Sequence, residues 1–294
     1  MKTYILYNPL AGTKNGENEA KRLAADCQGE VSLFNITKIE DYKAFLAPLS
    51  VDDVLILCGG DGTINRFANA TDGLEIPFEI QYSAVGTGND FLKDLGKEAG
   101  CKPFRINEYL TNLPIVEVRG KRYRFLNGIG FGIDGYCCEV GDKLKAASDK
   151  PVNYTAIAIK GLLFHYKPTL ATVTVDGVSH TYKKAWIAAT MNGRYYGGGM
   201  MTAPNQDRLN EARENTLVMM YGKGKIKTLM VFPSIFKGEH IKHTEMVAVH
   251  TGKDITVTFD RPTALQIDGE TVLNVTSYRV TAGVDARIPE TATV

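Results

Sequence analysis

Val54-Leu55-Ile56-Leu57-Cys58-Gly59-Gly60-Asp61-Gly62-Thr63-Ile64-Asn65 is the stretch that decides the fold. It opens with a short apolar run, β-branched at Val54 and Ile56, which reads as a strand buried on both faces. A glycine turn follows, and Thr63 leads into the helical pattern of Ile64 to Ala70. Strand, glycine turn and helix N-terminus together make an anion cradle. The glycines let the backbone approach a phosphate, and the N–H groups of the first helical turn point at it. Asp61 would repel that phosphate unless a divalent cation sat between the two. The local chemistry therefore points to a nucleotide phosphate with magnesium. Read alone, the same residues would also serve as a tight turn with no ligand.

Two more loops of this kind follow apolar runs. One is Ala84-Val85-Gly86-Thr87-Gly88-Asn89-Asp90-Phe91, and the other is Asn8-Pro9-Leu10-Ala11-Gly12 after Tyr4-Ile5-Leu6-Tyr7. Three such loops at successive strand ends resemble the catalytic domain of the diacylglycerol kinase family, which takes in diacylglycerol kinases, sphingosine kinases and bacterial lipid kinases. The resemblance continues in Asn127-Gly128-Ile129-Gly130-Phe131-Gly132-Ile133-Asp134, in Gly197-Gly198-Gly199 with Ala203-Pro204, and in Asp268-Gly269-Glu270. It covers nearly the whole chain.

Composition narrows the class. The chain has 294 residues, 44% hydrophobic and 23% charged, enough to bury a sizeable core. A net charge of +1 provides no global field to recruit nucleic acid, so none is expected as a partner. The five cysteines form no Cys-x-x-Cys and are odd in number, which favours reduced thiols over a disulfide framework. No run of about 18 apolar residues occurs, and no signal-peptide pattern opens the chain. A cytoplasmic protein that visits the membrane surface is the expectation.

Along the chain, strands and helices alternate up to about residue 114. Strands are expected at 4–7, 31–36, 54–58 and 78–85, with helices near 17–27, 41–49 and 64–70. This is the rhythm of a parallel sheet covered on both sides, with ligands outside the carboxyl ends of its strands. Short strands then follow at turn-length spacing, including a hairpin signal at Asp176-Gly177. Helices are expected at about 136–147, 152–166 and 226–236. The fold class is α/β, a doubly wound NAD kinase/diacylglycerol kinase-like nucleotide domain over 1–117, joined to an antiparallel β-sandwich acceptor domain over 118–283. The resemblance implies that 284–294 return to the first domain.

The resemblance also assigns roles. It places the nucleotide on Asn8, Pro9, Leu10, Ala11, Gly12, Thr37, Gly59, Gly60, Asp61, Gly62, Thr63, Ile64, Asn65 and Thr87. Asp61 and Asp90 supply carboxylates near a magnesium–phosphate complex, and Glu270 accepts the proton of the acceptor hydroxyl. ATP and Mg2+ are the implied cofactors, a lipid at the membrane surface is the implied partner, and a homodimer is allowed for. Many bacterial members also hold a structural magnesium through an Asp-Gly-Leu segment after the Ala-Pro. Here Glu214-Asn215 stands in that place, so Glu214 or Asp207 is the candidate ligand, and a metal-free loop is the alternative.

The expected activity is ATP-dependent phosphorylation of a lipid hydroxyl, with diacylglycerol first. NAD kinase competes within the class, but it carries an Asn-Glu pair where this chain has Asn89-Asp90. A non-catalytic nucleotide- or lipid-binding regulator competes from outside it. His240 and His243 read as a solvated surface pair, and Arg119 to Arg124 as the wet face of a hairpin. Tyr195 and Tyr196 are read either as cleft lining or as packing. The apolar stretch 226–236 with its flanking Lys223, Lys225, Lys227, Lys237, Lys242 and His240 is read either as an interfacial segment or as a helix packed on the second domain.

Overall fold

Alternating apolar strands and amphipathic helices build the first of two units. β1 (Lys2–Tyr7), β2 (Glu30–Asn35), β3 (Val54–Gly59) and β4 (Glu79–Ala84) pair in parallel in the order β2-β1-β3-β4. β5 (Phe104–Arg105) adds an antiparallel edge beside β4. The structure is a computed structural model that describes residues 1–11, 15–85, 89–148 and 152–283. The chain divides into compact units at Leu113/Pro114, and the expectation for 284–294 falls outside the described residues.

β3 is flanked on both sides, and Leu55 to Gly59 are buried, as a central parallel strand requires. The helices are α1 (Gly16–Asp26), α2 (Tyr42–Leu46), α3 (Asp61–Ala70), α4 (Asp90–Asp94) and α5 (Asn107–Leu110). The Asp41 carboxylate accepts the Ala44 N–H and starts α2. Strand order reverses between β1 and β3. That switch point is where open α/β sheets bind ligands, and there the Asn8 N–H donates to the Cys58 carbonyl at 3.1 Å.

The second unit is antiparallel. Its strands are β6 (Ile115–Val118), β7 (Lys121–Arg124), β8 (Gly128–Gly132), β9 (Thr169–Val175), β10 (Val178–Ala185) and β11 (Ile187–Met191). They continue as β12 (Tyr195–Tyr196), β13 (Met200–Met201), β14 (Asn215–Met220), β15 (Val247–Gly252), β16 (Asp254–Ile267) and β17 (Glu270–Thr281). The main path runs β15-β14-β11-β8-β16-β17-β6-β7. β16 joins the layers. Its residues 255–259 pair with β9 and 265–267 with β8, while a register shift between Thr258 and Thr263 breaks its pairing with β17. Phe131 stacks on Phe259 in the core with ring centroids 3.9 Å apart.

Two Asp-Gly turns close hairpins as their residues predict. Asp176-Gly177 and Asp268-Gly269 all have positive φ, the requirement of a type I′ turn. β8 is the strand with no pattern to announce it. Its sequence is Gly-Ile-Gly-Phe-Gly, yet every residue is buried at the sheet centre. A Cβ at Gly130 would meet the Asp134 Cβ at 2.6 Å, and one at Gly132 the Trp186 carbonyl oxygen at 2.4 Å. Close packing, and not strand propensity, selects these glycines.

Helices cover one side. α6 (Ile133–Ala147) leads on to α7 (Tyr154–Lys160), which passes into a π turn, Gly161–His165. α8 (Lys225–Val231) passes into a 3-10 turn, Phe232–Lys237, and a second such turn covers Glu239–Lys242. No helix among the described residues is long and apolar enough to cross a membrane.

Candidate active site

In the first unit, the loops after β1, β3 and β4 carry the expected nucleotide residues. Gly60 caps α3 with extended backbone, and Asp61 is the first helical residue. Asp61 Oδ2 accepts the Phe91 N–H at 3.1 Å, which ties the first turn of α3 to the first turn of α4. The Tyr82 hydroxyl reaches both the Gly59 carbonyl (3.0 Å) and Asn89 Oδ1 (3.1 Å). Burial, reinforced by the charge of Asp61, raises the Tyr82 pKa, so the phenol stays a donor. Asn8 Nδ2 lies 3.4 Å from Thr63 Oγ1, and Asn8 Oδ1 accepts the Leu10 N–H at 3.0 Å. Asn8, Gly59, Asp61, Thr63, Asn89 and Asp90 are thus brought together.

The glycines of the turn differ in purpose. A Cβ on Gly59 would lie 2.1 Å from Thr63 Oγ1, so Gly59 is needed by the fold. On Gly60 it would meet nothing closer than 3.4 Å, and on Gly62 nothing within 4 Å. Gly62 thus leaves open space at the helix N-terminus, where first-turn N–H groups have no intrahelical acceptor, and Gly60 leaves only contact distance to Asn89. A phosphate and a cation held by Asp61 fit this cradle. Thr37 is placed differently from its expected strand end. β2 stops at Asn35, and Thr37 sits on a 3-10 turn, Ile36–Lys38, with its hydroxyl donated to Asn35 Oδ1 at 2.8 Å. Gly12 and Thr87 lie outside the described residues.

In the second unit, Glu270 is exposed at the first position of β17. Its turn is anchored by Asp268. The Asp268 carboxylate accepts the N–H groups of Leu126, of Asn127 (2.8 Å) and of Gly128 (3.0 Å). The same segment is held from other sides. Asn192 Nδ2 and one Arg208 nitrogen donate to the Leu126 carbonyl, and the second Arg208 nitrogen donates to Asn127 Oδ1. Arg208 and Asn192 carried no motif signal in sequence, because their partners, the Leu126 carbonyl and the Asn127 side chain, lie 66 to 82 positions away.

Residues 2–111 match the diacylglycerol kinase catalytic domain, and residues 127–288 match the YegS C-terminal NAD kinase beta sandwich-like domain. The chain belongs to the diacylglycerol kinase family. It is 24% identical to the Bacillus subtilis (strain 168) protein named "Putative lipid kinase YtlR", over 94% of this chain and 95% of the relative. It is 27% identical to the diacylglycerol kinase of the same organism, over 90% and 88%. A crystal structure of a diacylglycerol kinase from Bacillus anthracis str. Sterne shares the fold, with a TM-score of 0.60 at 17% identity over 97% and 94% of the chains.

The loop after Ala203-Pro204, where the family's structural magnesium is expected, is closed by its own side chains. The Glu214 carbonyl accepts Gln206 Nε2 at 2.9 Å and Asn210 Nδ2 at 3.0 Å, which uses both its lone pairs. Asn210 Oδ1 in turn accepts the Glu214 N–H at 2.8 Å. Side-chain amides thus hold the backbone of this turn. Asp207, Glu211 and Glu214 line a cavity of about 540 Å³ beside β14 and β15. Among the described residues no group of three or more His, Cys, Asp or Glu side chains is disposed to hold a metal.

Two further expectations are settled in this unit. His240 is not a surface residue. It is fully buried, with Nε2 on the Thr202 carbonyl at 2.9 Å, because its 3-10 turn folds inward; burial lowers its pKa to about 4. Tyr196 is packing and not cleft lining, since it is buried and donates its hydroxyl to Asp134 Oδ2. Asp134 is buried with it, and burial raises its pKa to about 6 against the lowering effect of that hydrogen bond.

Proposed function

We propose that the protein is an ATP-dependent lipid kinase, transferring the γ-phosphoryl group to the hydroxyl of diacylglycerol to give phosphatidic acid. Asp61 carries the reading. It is a half-buried carboxylate in the first turn of α3, between Gly60 and Gly62, fixed by the Phe91 N–H and with open space above Gly62. A carboxylate at a phosphate cradle calls for a divalent cation, which is the equipment of phosphoryl transfer. Asn8 to Ala11 and Gly59 to Asn65 hold the nucleotide, with Gly12, Thr37 and Thr87 carried over from the family and Asp90 as the second carboxylate. Magnesium, when bound, neutralises charge on the phosphate oxygens.

The chain's own residues orient the acceptor and move its proton. Glu270 takes the proton of the lipid hydroxyl as that oxygen attacks the γ-phosphorus. The bond from phosphorus to the β–γ bridging oxygen breaks, and ADP leaves with the electron pair. Asp268 positions Glu270 through the 126–128 backbone. The relatives named lipid and diacylglycerol kinases support a lipid acceptor over a soluble one.

The test is radiolabelled ATP against diacylglycerol, sphingosine, ceramide, phosphatidylglycerol, undecaprenol and NAD. Label on diacylglycerol, lost in Asp61→Asn and Glu270→Gln, is the expected result. Label on NAD alone would overturn it.

A further inference from the structure

Two segments of the second unit, 152–168 and 221–237, are apolar, carry lysines and contain no acidic residue. They lie 53 positions apart in sequence, yet the fold sets them side by side. α8 packs against the π turn that ends α7. The Lys225 ammonium donates to the Leu163 carbonyl at 2.7 Å. Phe164 and Ile226, the next residues along, therefore flank one hydrogen bond.

The inner faces of these segments are accounted for. Ile157, Leu162, Val231, Phe232 and Ile235 share a core with Trp186. Their outer faces are not. Phe164 is 72% exposed, Ile226 74% and Met230 72%. Ile226 and Met230 are four residues apart on one helix and so share a stripe. A single exposed apolar side chain needs no explanation, but three large ones on adjoining segments form a patch that marks an interaction surface. Lys160, Lys223, Lys225 and Lys227 border it, with Glu245 3.6 Å from Lys227.

We propose that this face docks the protein on an anionic phospholipid bilayer. Phe164, Ile226 and Met230 enter the headgroup–acyl boundary, and the bordering lysines meet lipid phosphates. Charge selects this occupant. The basic border complements an anionic surface, whereas a second copy of the same face would set lysine against lysine. The net charge of +1 leaves attraction to such a surface to a local patch of this kind. The proposal rests on the lipid-kinase reading for its purpose, but it is tested apart from catalysis.

The experiment is co-sedimentation with vesicles of phosphatidylcholine alone and of phosphatidylcholine mixed with phosphatidylglycerol, at low and high salt. Wild type is compared with Phe164→Ser/Ile226→Ser/Met230→Ser and with Lys223→Glu/Lys227→Glu, and thermal melting serves as the folding control. Binding should need phosphatidylglycerol, weaken with salt and fall by roughly tenfold or more in the serine variant. Turnover on a short-chain diacylglycerol dispersed in solution should stay at the wild-type level while turnover on vesicles falls. Patch-dependent vesicle binding with no lipid phosphorylated would uphold the docking face and remove the kinase reading. Wild-type vesicle binding by both variants would overturn the proposal. So would a wild-type dimer that the serine variant dissociates, with no vesicle binding by either.

Discussion

Asp268 Oδ1 accepts the backbone N–H of Asn127 at 2.8 Å, fastening the turn between β16 and β17 to the chain entering β8. The carboxylate two residues before Glu270 is thereby committed to backbone groups, which in the proposed reaction leaves proton acceptance to Glu270. Glu270→Gln should lower kcat by about 100- to 10,000-fold with unchanged melting temperature and nucleotide affinity. Asp268→Ala should lower kcat and also cost about 2–4 kcal/mol in urea unfolding, since buried N–H groups lose their acceptor. Equal stability of the two variants would undo this division.

The glycine turn invites a split between stability and binding. Gly59→Ala should destabilise the fold, because its Cβ would meet Thr63 Oγ1 at 2.1 Å. Gly62→Ala puts a methyl into open space and should stabilise α3 by about 0.5–1 kcal/mol. It should nonetheless weaken ATP binding in calorimetry, because the methyl takes the space a phosphate needs. Tighter melting together with unchanged ATP affinity would place the phosphate elsewhere.

Asp134 and His240 make stability depend on pH in opposite senses. Asp134 rises from 3.8 unfolded to about 6 folded, so the native state binds more protons in that window. Its contribution is complete below the unfolded value and is lost as pH rises through about 6. His240 falls from 6.5 to about 4, so its contribution is present above 6.5 and is lost as pH drops toward 4. Asp134→Asn should raise stability by about 1–3 kcal/mol near neutral pH and by almost nothing near pH 4. His240→Gln should flatten the acid side of the stability curve. Denaturant melts across pH check both slopes.

The loop from Gln206 to Glu214 should not depend on metal. Chelation is expected to leave the melting temperature unchanged, while Asn210→Ala, which removes three hydrogen bonds around Glu214 and Asp207, should cost about 1–3 kcal/mol. A melting temperature that falls on chelation and returns with magnesium would restore the cation.

The parallel sheet was legible because β1 and β3 are apolar runs, β4 buries Ile80 and Tyr82 in alternation, and all three end in glycine or asparagine loops. The hairpins announced themselves through Asp176-Gly177 and Asp268-Gly269. β8 was not legible as a strand, since three glycines contribute no strand propensity and are selected by Asp134, Trp186 and Met191 pressing on the backbone. His240 failed for a related reason. With no further ligands near it, the pair with His243 read as a wet surface, and only the tertiary path of residues 239–242 shows it turned onto Thr202. The stretch 226–236 offered two readings, and the structure supplies the packed one on one side of α8 while leaving Ile226 and Met230 outside.

The Tyr82 hydroxyl has one proton and two acceptors, the Gly59 carbonyl and Asn89 Oδ1. Three positions from three separate stretches of sequence therefore share a single donor. Replacing Tyr82 or Asn89 changes what the other is bonded to, so their mutational effects are coupled. Tolerance at position 89 becomes a property of the residue at 82, and the reverse holds as well. A change in the loop after β4 is therefore felt at the end of β3, through one hydroxyl.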